Sequence, residues 1–387
     1  MLTGLNRTLT IAILLMATCA WSVSVKTIYT FDGSLGITSS GLTLDAKGNA
    51  YGTLMGTGNN AGGIYQLSPS SGYHTIYVFN GSPDGGQPQG NLAIDVNGNI
   101  YGATVTGGTS PNCDNPPITG CGIVFMLAPP ANGIGLWTET ILYNFDGGES
   151  GLSFPNAGVA LDKEGNIYGT APCCSYGYGS IFRLVPVGNG QWDEETLHTF
   201  TTLSTGFPRS TPVFDHDGNF YGTTSGDEDG DIGGGTVWKL WHDGAFSILY
   251  TFTDQNDGYY PWRGVAFDAA GNLYGTTKHG GDFVDCDGGC GVVYKLTQSQ
   301  GTWTETTLHL FTSGEDGAYP LASVVINSAG TIYGTTSEPA IIFSLTPSQN
   351  GWIEQVLDAE TSMATPLLLE QGNLYGVTNS TVFQIKP

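Results

Sequence analysis

One recurring phrase constrains the fold of this chain more than any other sequence feature. A strand-like apolar run leads into an Asp-x-x-Gly-Asn turn and then into Tyr-Gly-Thr-Thr, as in VAFDAAGNLYGTT. Self-similarity at a period of roughly 20–50 residues is typical of solenoids, propellers and arrays. Because the units show strand patterns and no helical periodicity, the repeat predicts a β-propeller with one blade per copy. The seven copies are marked by the Tyr-Gly pairs that begin at Tyr51, Tyr101, Tyr168, Tyr221, Tyr274, Tyr333 and Tyr375.

Each repeat unit contains four strand-like runs. Strand A precedes the Asp turn, strand B carries Tyr-Gly, strand C is a glycine-led aromatic run such as GVVYKL, and strand D ends in aromatic-x-Phe, as in TILYNF. In the A–B turn, the Asp side chain accepts a hydrogen bond from the backbone two residues on, and the Gly takes the positive-φ position. The sequence therefore predicts an all-β fold of seven blades with four antiparallel strands each.

The ends of the chain indicate how the ring closes. The last repeat supplies strands A, B and C up to Pro387, and a D-like strand, Lys26–Phe31, precedes the first strand A. We expect this N-terminal strand to pair with Val382–Lys386, because closure leaves no strand edge free to aggregate. Residues 25–387 are then a single seven-bladed propeller.

The N-terminal segment has the features of a targeting signal. Arg7 precedes the apolar run Leu9–Ala20, and small or polar residues follow. This order predicts a secretory signal peptide over residues 1–24, because the run is too short to cross a membrane as a helix. Lipid attachment at Cys19 is an alternative. We expect a secreted extracellular or periplasmic protein with no integral membrane segment after signal removal.

The charge balance narrows the range of partners. The chain has 11 basic and 34 acidic residues, for a formal net charge of -23. Binding to nucleic acid depends on Lys and Arg that neutralise phosphates, so nucleic acid and anionic membranes are poor partners for such a surface. Acidity also keeps an exported protein soluble. We expect a monomer whose partner is an extracellular carbohydrate or protein.

The repeat resembles that of a known family. DAAGNLYGTTKHGG (Asp268–Gly281), GVVYKL, WTETTLHLF (Trp303–Phe311) and DGAYP (Asp316–Pro320) are similar to the GloVer-repeat proteins, the "choice-of-anchor tandem repeat GloVer-containing" family. The resemblance covers nearly all of the chain after the predicted signal. It implies a secreted bacterial repeat protein, or one at the cell surface, of unassigned activity, and it carries over no catalytic residue. The layout is more distantly similar to NHL propellers.

The loops of one face vary most. In an antiparallel meander the B–C and D–A loops share one face of the ring, and the A–B turns lie on the other. A–B turns are nearly uniform, whereas B–C loops differ widely in length. Because loops carry function more often than scaffolds do, we expect any binding surface on the D–A/B–C face.

The D–A loops contain a phrase of the form Asp-Gly-x-aromatic-Pro. The residue after Pro opens the innermost strand, and it differs from blade to blade. An Arg and aromatic grouping near the pore mouth could stack on a sugar or a peptide. The alternative is that these aromatics fill the space between blades. The predicted ligand-binding residues are Arg209, Trp262, Tyr260, Tyr319, Gln89 and Asn156.

Six cysteines follow the predicted signal peptide, and all lie in B–C loops. An even number in an exported chain indicates disulfides. Pairing within each loop is the simplest arrangement, and the spacings match no standard zinc finger or ribbon. The expected pairs are Cys113 with Cys121, Cys286 with Cys290, and Cys173 with Cys174.

One acidic B–C loop has a pattern similar to that of calcium loops. Asp227, Asp229 and Asp231 occupy alternate positions, but the twelfth position holds Trp238 where a calcium loop has Glu. The loop predicts an optional calcium site, and a solvated acidic loop is the alternative.

No catalytic constellation emerges from the sequence. We therefore expect a non-enzymatic binding or surface-interaction module. One alternative is an enzyme that acts on polysaccharide or lactone, a lyase or hydrolase with a metal-assisted acidic site. Another is a structural envelope protein. One propeller scaffold hosts many activities, so the fold does not decide between these functions.

Overall fold

The structure is a computed structural model that describes residues 23–57, 60–113, 119–131, 136–147, 152–172, 177–226, 234–253, 256–359 and 365–387. Its strands form seven separate antiparallel sheets, which confirms the predicted seven-bladed propeller. Apart from strands, the described residues contain one short 3-10 helix, Leu203–Thr205. Within that part of the chain, no helix has the length and apolar composition needed to cross a membrane.

Blades are numbered by the order of their strands A, from the N-terminus. Strands A are mostly short and lie nearest the axis: Ile37–Thr38 with Thr43–Leu44, Gly86–Ile94, Ala160–Leu161, Val213–Phe214, Ala266–Phe267, Val325–Ile326 and Leu368–Glu370. Strands B follow: Ala50–Met55, Ile100–Thr106, Ile167–Ala171, Phe220–Thr224, Leu273–Thr277, Ile332–Thr335 and Asn373–Val377. Strands C are Gly62–Ser68, Ile123–Ala128, Ser180–Gly188, Thr236–Leu240, Val292–Ser299, Ile342–Ser348 and Thr381–Lys386. Outermost are strands D: Gly72–Val78, Thr138–Asn144, Gln191–Thr199, Phe246–Thr251, Thr302–Leu310, Gly351–Asp358 and, for blade 7, Ser24–Thr30.

Ring closure follows the predicted arrangement. The N-terminal strand Ser24–Thr30 pairs antiparallel with Thr381–Lys386, with Lys26 opposite Gln384. Blade 7 thereby gains its fourth strand from the other end of the chain. The predicted signal peptide lies almost wholly outside the described residues, and it stays a prediction.

The A–B turns repeat one hydrogen-bond arrangement. In blade 5, Asp268 accepts backbone N–H bonds from Ala270 and Asn272 at Oδ1, and side-chain bonds from Asn272 and Tyr274 at Oδ2, all at 2.7–3.0 Å. Burial alone would raise the pKa of Asp268, but the hydrogen bonds from Asn272 and Tyr274 hold it below its ordinary value. The repeat phrase therefore builds a turn in which the Tyr of strand B is tied to the Asp that begins it.

Aromatic side chains pack each blade against the next. The Phe after strand D of one blade meets the strand C aromatic of the following blade edge to face, with ring centroids 5.0–5.3 Å apart. These pairs are Phe31–Tyr65, Phe79–Phe125, Phe145–Phe182, Phe252–Tyr294 and Phe311–Phe343. The strand C aromatic lies over the glycine of its own Tyr-Gly pair; a Cβ at Gly275 would come within 2.6 Å of the Tyr294 ring. The glycine is therefore conserved among the seven copies for packing space.

At the five joints from blades 1 and 2 to blades 5 and 6, a backbone hydrogen bond joins successive blades, and we call it the blade latch. The residue before the Pro of each D–A phrase donates its N–H to a carbonyl of the previous blade, at 2.5–2.8 Å. The acceptor is the residue before the glycine at the start of strand C, which is Gly62, Gly122, Gly179, Gly235 or Gly291. All five donors have φ of 53–61°, an uncommon conformation for a residue with a side chain. The donor and acceptor pairs are Gln87–Ala61, Phe154–Cys121, Phe207–Tyr178, Tyr260–Gly234 and Tyr319–Cys290.

The Pro that follows each latch donor covers a glycine of the previous blade. At blades 5 and 6, a Cβ on Gly291 would lie 2.6 Å from Cδ of Pro320 and 2.5 Å from the carbonyl oxygen of Thr277. The corresponding Cβ-to-Pro distances at the other four latches are 2.5–2.9 Å. Gly291 also has φ of +93°. A side chain at this position would therefore be strained and would push the neighbouring blade away.

We predict that Gly291→Ala lowers the free energy of unfolding by roughly 3–4 kcal/mol, the combined cost of overpacking and of positive φ. The matched control is Gly301→Ala in the same blade, which has φ of +84° and nothing within 4 Å of a Cβ. We expect the control to cost about 1 kcal/mol, from backbone conformation alone. The measurement is chemical denaturation of both variants; equal losses would contradict the proposed role of the latch.

Candidate functional site

The latches place the residues after the prolines around the mouth of the axial channel. Because each latch ties a D–A loop to the B–C loop of the previous blade, the two kinds of loop share one face, as the sequence predicts. The residues at this position are Gln89, Asn156, Arg209, Trp262 and Leu321, and all five are partly exposed. These five residues are chemically different, although they occupy one position of an otherwise uniform element.

Arg209 and Trp262, from neighbouring blades, form the most defined contact at the mouth. The Arg209 guanidinium carbon lies 4.5 Å from the centroid of the Trp262 ring, which is a close cation–π contact. Neither side chain is fully buried. A flat aromatic surface beside a charged, multidonor group can bind a planar or ring-shaped polar ligand.

Tyr260 lies beneath this pair. Its ring centroid is 5.3 Å from that of Trp262, but the residue is only 1% exposed and its N–H is a latch donor. Lys278 Nζ lies 5.5 Å from the centre of the Tyr260 ring. Of the predicted ligand contacts, Tyr260 therefore has the geometry of a packing residue that supports Trp262.

Tyr319 joins the cluster through His279, which the sequence analysis did not select. The His279 and Tyr319 ring centroids are 5.4 Å apart, and His279 also contacts Tyr260 at 6.1 Å. Burial raises the pKa of Tyr319, so the phenol is neutral at physiological pH. The structure thus brings together four predicted residues with His279 in one group on blades 4 to 6.

Gln89 and Asn156 lie at equivalent positions in blades 2 and 3. Gln89 donates from Nε2 to the sulfur of Met55 at 3.3 Å. The Oδ1 atom of Asn156 is buried and has no hydrogen-bond donor among the described residues. Neither residue shows an interaction with the Arg209 and Trp262 pair, so their part in a common site stays a prediction.

Arg263 is a second mouth residue that the sequence analysis missed. It lines an axial cavity of about 310 Å³, together with Asn91, Thr211, Ser323 and Pro366 from four other blades. Its Nε is buried without an acceptor among the described residues. Burial and the nearby Arg209 charge lower the pKa of Arg263 to about 10, so the guanidinium remains charged at neutral pH.

A comparison of the repeats could have indicated Arg263. The residue immediately before it, Trp262, belongs to the variable position that the sequence analysis examined. One residue further on, the other six blades carry only small residues, which are Ser40, Gly90, Ala157, Ser210, Ala322 and Thr365. A long cationic side chain in the fifth blade is therefore a departure from the pattern that the fold uses elsewhere.

Two of the predicted sites lie outside the described residues. They are the proposed calcium ligands Asp227, Asp229 and Asp231, and the Cys173–Cys174 pair. In the rest of the chain, no group of three or more His, Cys, Asp or Glu side chains is placed to hold a metal. The disulfides Cys113–Cys121 and Cys286–Cys290 are confirmed.

The outer seams between blades contain carboxylate pairs. Tyr77 Oη lies 2.7 Å from Oδ1 of Asp84 and 3.2 Å from Oε2 of Glu139 in the next blade. Burial, with the nearby Asp84, raises the pKa of Glu139 to about 8. At the seam of blades 4 and 5, burial and Asp257 raise the pKa of Glu305 to about 7. These carboxylates belong to the joints between outer strands, away from the axial mouth.

A larger cavity than the axial one lies at the joint of blades 7 and 1, on the face of the A–B turns. Its volume is about 930 Å³, and Lys26, Tyr73 and Leu368 are among its lining residues. Polar groups there are already used by the fold: Asp45 is bonded within its own turn, and Gln384 Nε2 donates to Tyr375 Oη at 3.0 Å. We therefore favour the smaller axial mouth, where the buried Nε atoms of Arg209 and Arg263 have no acceptor among the described residues.

The blades and the axial mouth define the class of the protein, a seven-bladed β-propeller whose variable loops lie on one face. The chain belongs to the family described as Gloeobacter/Verrucomicrobia repeat, whose model matches residues 154–384. This confirms the resemblance inferred from the repeat phrase. No curated protein matches the chain.

Several solved structures share the fold. Virginiamycin B lyase from Staphylococcus aureus is 13% identical, with 94% of this chain and 99% of that chain covered and a TM-score of 0.58. A streptogramin B lyase is 14% identical, with 94% and 97% covered and a TM-score of 0.60. An ulvan lyase, a polysaccharide lyase with a GlcA(1-4)Rha3S saccharide bound, is 10% identical, with 92% and 94% covered and a TM-score of 0.53. At such identities the likeness shows the fold alone.

We predict that Glu139→Gln stabilises the protein at pH 8 by about 1 kcal/mol, a figure already reduced for solvent screening of a half-buried group. The pKa of Glu139 is higher in the folded protein than in the unfolded chain. Protonated Glu139 therefore contributes fully to stability below its ordinary pKa, and this contribution is lost as the pH rises towards 8. The stabilisation by Glu139→Gln should therefore be smaller at pH 4.5 than at pH 8.

The control for this prediction is Glu164→Gln, which removes the same charge from an exposed A–B turn. Thermal unfolding of both variants between pH 4.5 and pH 8.5 is the measurement. A stabilisation of Glu139→Gln that does not change with pH would show that the buried charge is not its cause.

Proposed function

We propose that this protein is an extracellular binding module that recognises a carbohydrate at the axial mouth of its D–A/B–C face. The observation that carries the proposal is the contact of Arg209 with Trp262, a partly exposed cation and indole 4.5 Å apart on two blades. Sugars present apolar ring faces and hydroxyl groups, which match an aromatic surface and a guanidinium fork. The ulvan lyase with its bound saccharide supports the idea that such a propeller can accommodate polysaccharide.

Export agrees with the chemistry of the chain. Disulfides persist in oxidising compartments. Two are formed within B–C loops, and each includes a latch acceptor, Cys121 in one and Cys290 in the other. The N-terminal sequence has the order of a secretory signal. We therefore place the binding function outside the cytoplasm, in the periplasm, at the cell surface or in the medium.

A second candidate function is enzymatic cleavage of a polysaccharide or lactone. The observation in its favour is the pairing of His279 with Tyr319 on the same face, 5.4 Å between ring centroids. A histidine and a neutral phenol are suitable groups for proton transfer if a substrate lies between them. The same experiment tests both functions, since an enzyme turns its ligand over and a binding module does not.

We predict that a Trp262→Ala, Arg209→Ala double variant loses at least about tenfold in affinity for the saccharides that the wild type binds, because stacking and charge are removed together. The measurement is an array of oligosaccharides and peptides, followed by calorimetry and by product analysis. The protein used is residues 25–387, without the predicted signal peptide.

The control variant is Trp241→Ala. Trp241 also contacts a cation, with Lys239 Nζ at 4.8 Å from its ring, but it follows strand C and so lies on the opposite face. We expect its binding to equal that of the wild type. Saccharide binding that survives in the double variant, or binding to peptides alone, would overturn the proposal. Released products would favour the enzyme.

A further inference from the structure

The charges at the axial mouth are unusual for so acidic a chain. The sequence has 34 acidic residues and only four arginines, one of which, Arg7, lies outside the described residues. Arg183 forms an ion pair with Glu195. The other two, Arg209 and Arg263, have no ion pair with any carboxylate that the structure describes, and each has a buried Nε without an acceptor there.

Folding does not require an arginine at position 263. In the other six blades a small residue suffices, and in blade 4 the equivalent Ser210 uses its hydroxyl to accept the N–H of Thr223 at 3.0 Å. Among the described residues, Arg263 contributes to this layer through its carbonyl oxygen, which accepts from Thr223 Oγ1 at 3.0 Å. Its side chain therefore adds a cation at a site where the repeat provides no counter-charge.

Arg209 contacts Trp262, the residue before Arg263, and the Nε atoms of both arginines lack an acceptor among the described residues. Such a pair of cations is unfavourable in the absence of an anion. Burial removes water from the Arg263 cation and lowers its pKa, and the like charge of Arg209 lowers it further. An anion that bridges the pair would satisfy the buried donors and reverse the repulsion. Guanidinium matches carboxylate in geometry, because its N–H groups form a fork for two oxygens.

We propose that Arg263 and Arg209 bind the carboxylate of an acidic sugar at the axial mouth, with the sugar ring against Trp262. This inference rests on the proposed function and specifies the class of saccharide, one that contains uronate. The axial cavity of about 310 Å³ is at the lower end of the range for ligand pockets, roughly 300–1,000 Å³. Arg263 lines this cavity together with residues of the strands A, whereas Arg209 and Trp262 lie outside its lining. The carboxylate would therefore enter at the end of the cavity that Arg263 lines, and the sugar ring would stay on the D–A/B–C face against Trp262.

The test compares acidic and neutral ligands on two variants. Calorimetry measures binding of glucuronate and galacturonate oligosaccharides, their uncharged glucose and galactose counterparts, and acetate, at constant ionic strength. Arg263→Ser places at this position the residue that blades 1 and 4 carry, Ser40 and Ser210, so we expect it to fold. Arg183→Ser is the control, because it removes an equal charge that already has a carboxylate partner.

We expect the wild type and Arg183→Ser to bind the uronate oligosaccharides at least about tenfold more tightly than the neutral ones. Arg263→Ser should lose this preference, keep the binding of neutral saccharides, and unfold at a higher temperature than the wild type without ligand. If Arg263→Ser proves unstable, Arg209→Gln is the second variant, and it should show the same loss of preference.

The outcomes separate the inference from the proposed function. Equal affinity for acidic and neutral saccharides in the wild type would overturn the carboxylate site while leaving saccharide binding intact. A preference that persists in Arg263→Ser would also overturn it. If acetate binds as well as the uronate oligosaccharides and neutral sugars do not bind, both the sugar component and the proposed function are wrong.

Discussion

The blade latch is the interaction on which the functional face depends. Its donor must hold a left-handed conformation, such as φ of 61° at Tyr260, and its proline must fit over a glycine of the previous blade. These two requirements join D–A and B–C loops at the backbone, where side-chain identity matters little. Folding therefore places little restriction on the side chain of the residue after the proline. The five latches therefore provide five positions at the axial mouth whose side chains differ from blade to blade.

Away from the axis, the same repeat produces carboxylates with opposite pKa shifts. In the turn aspartates, such as Asp215 and Asp268, hydrogen bonds lower the pKa more than burial raises it. Their contribution to stability is therefore present above their ordinary pKa and is lost in acid. The seam glutamates Glu139 and Glu305 show the reverse, because burial and a second carboxylate raise their pKa. Both effects come from repeated elements, so the ring as a whole should be most stable in mildly acidic to neutral solution.

Most of the fold was predictable from the sequence because its determinants are local and occur several times. The Asp turn and the glycine of Tyr-Gly are visible in each copy, and the unpaired strand at Lys26–Phe31 indicated closure. The site was less predictable. Tyr260 resembled a ligand contact, yet its latch conformation directs it into the joint between blades, where it is buried. The burial of Tyr260 depends on the backbone geometry between blades, and this geometry cannot be inferred from the sequence of one repeat.

Arg263 shows how a repeat protein can separate folding from function. Six blades establish what the fold needs at that position, and it is a small side chain. The same comparison assigns the aromatic before the proline to the fold, since Phe154, Phe207, Tyr260 and Tyr319 share one conformation. An arginine that enters the axial cavity, beside a second arginine and without a described acceptor, has no counterpart in the other blades. Desolvation of this guanidinium is unfavourable, and it occurs in one blade only. A ligand that supplies the missing oxygens would explain why the arginine is present despite this unfavourable term.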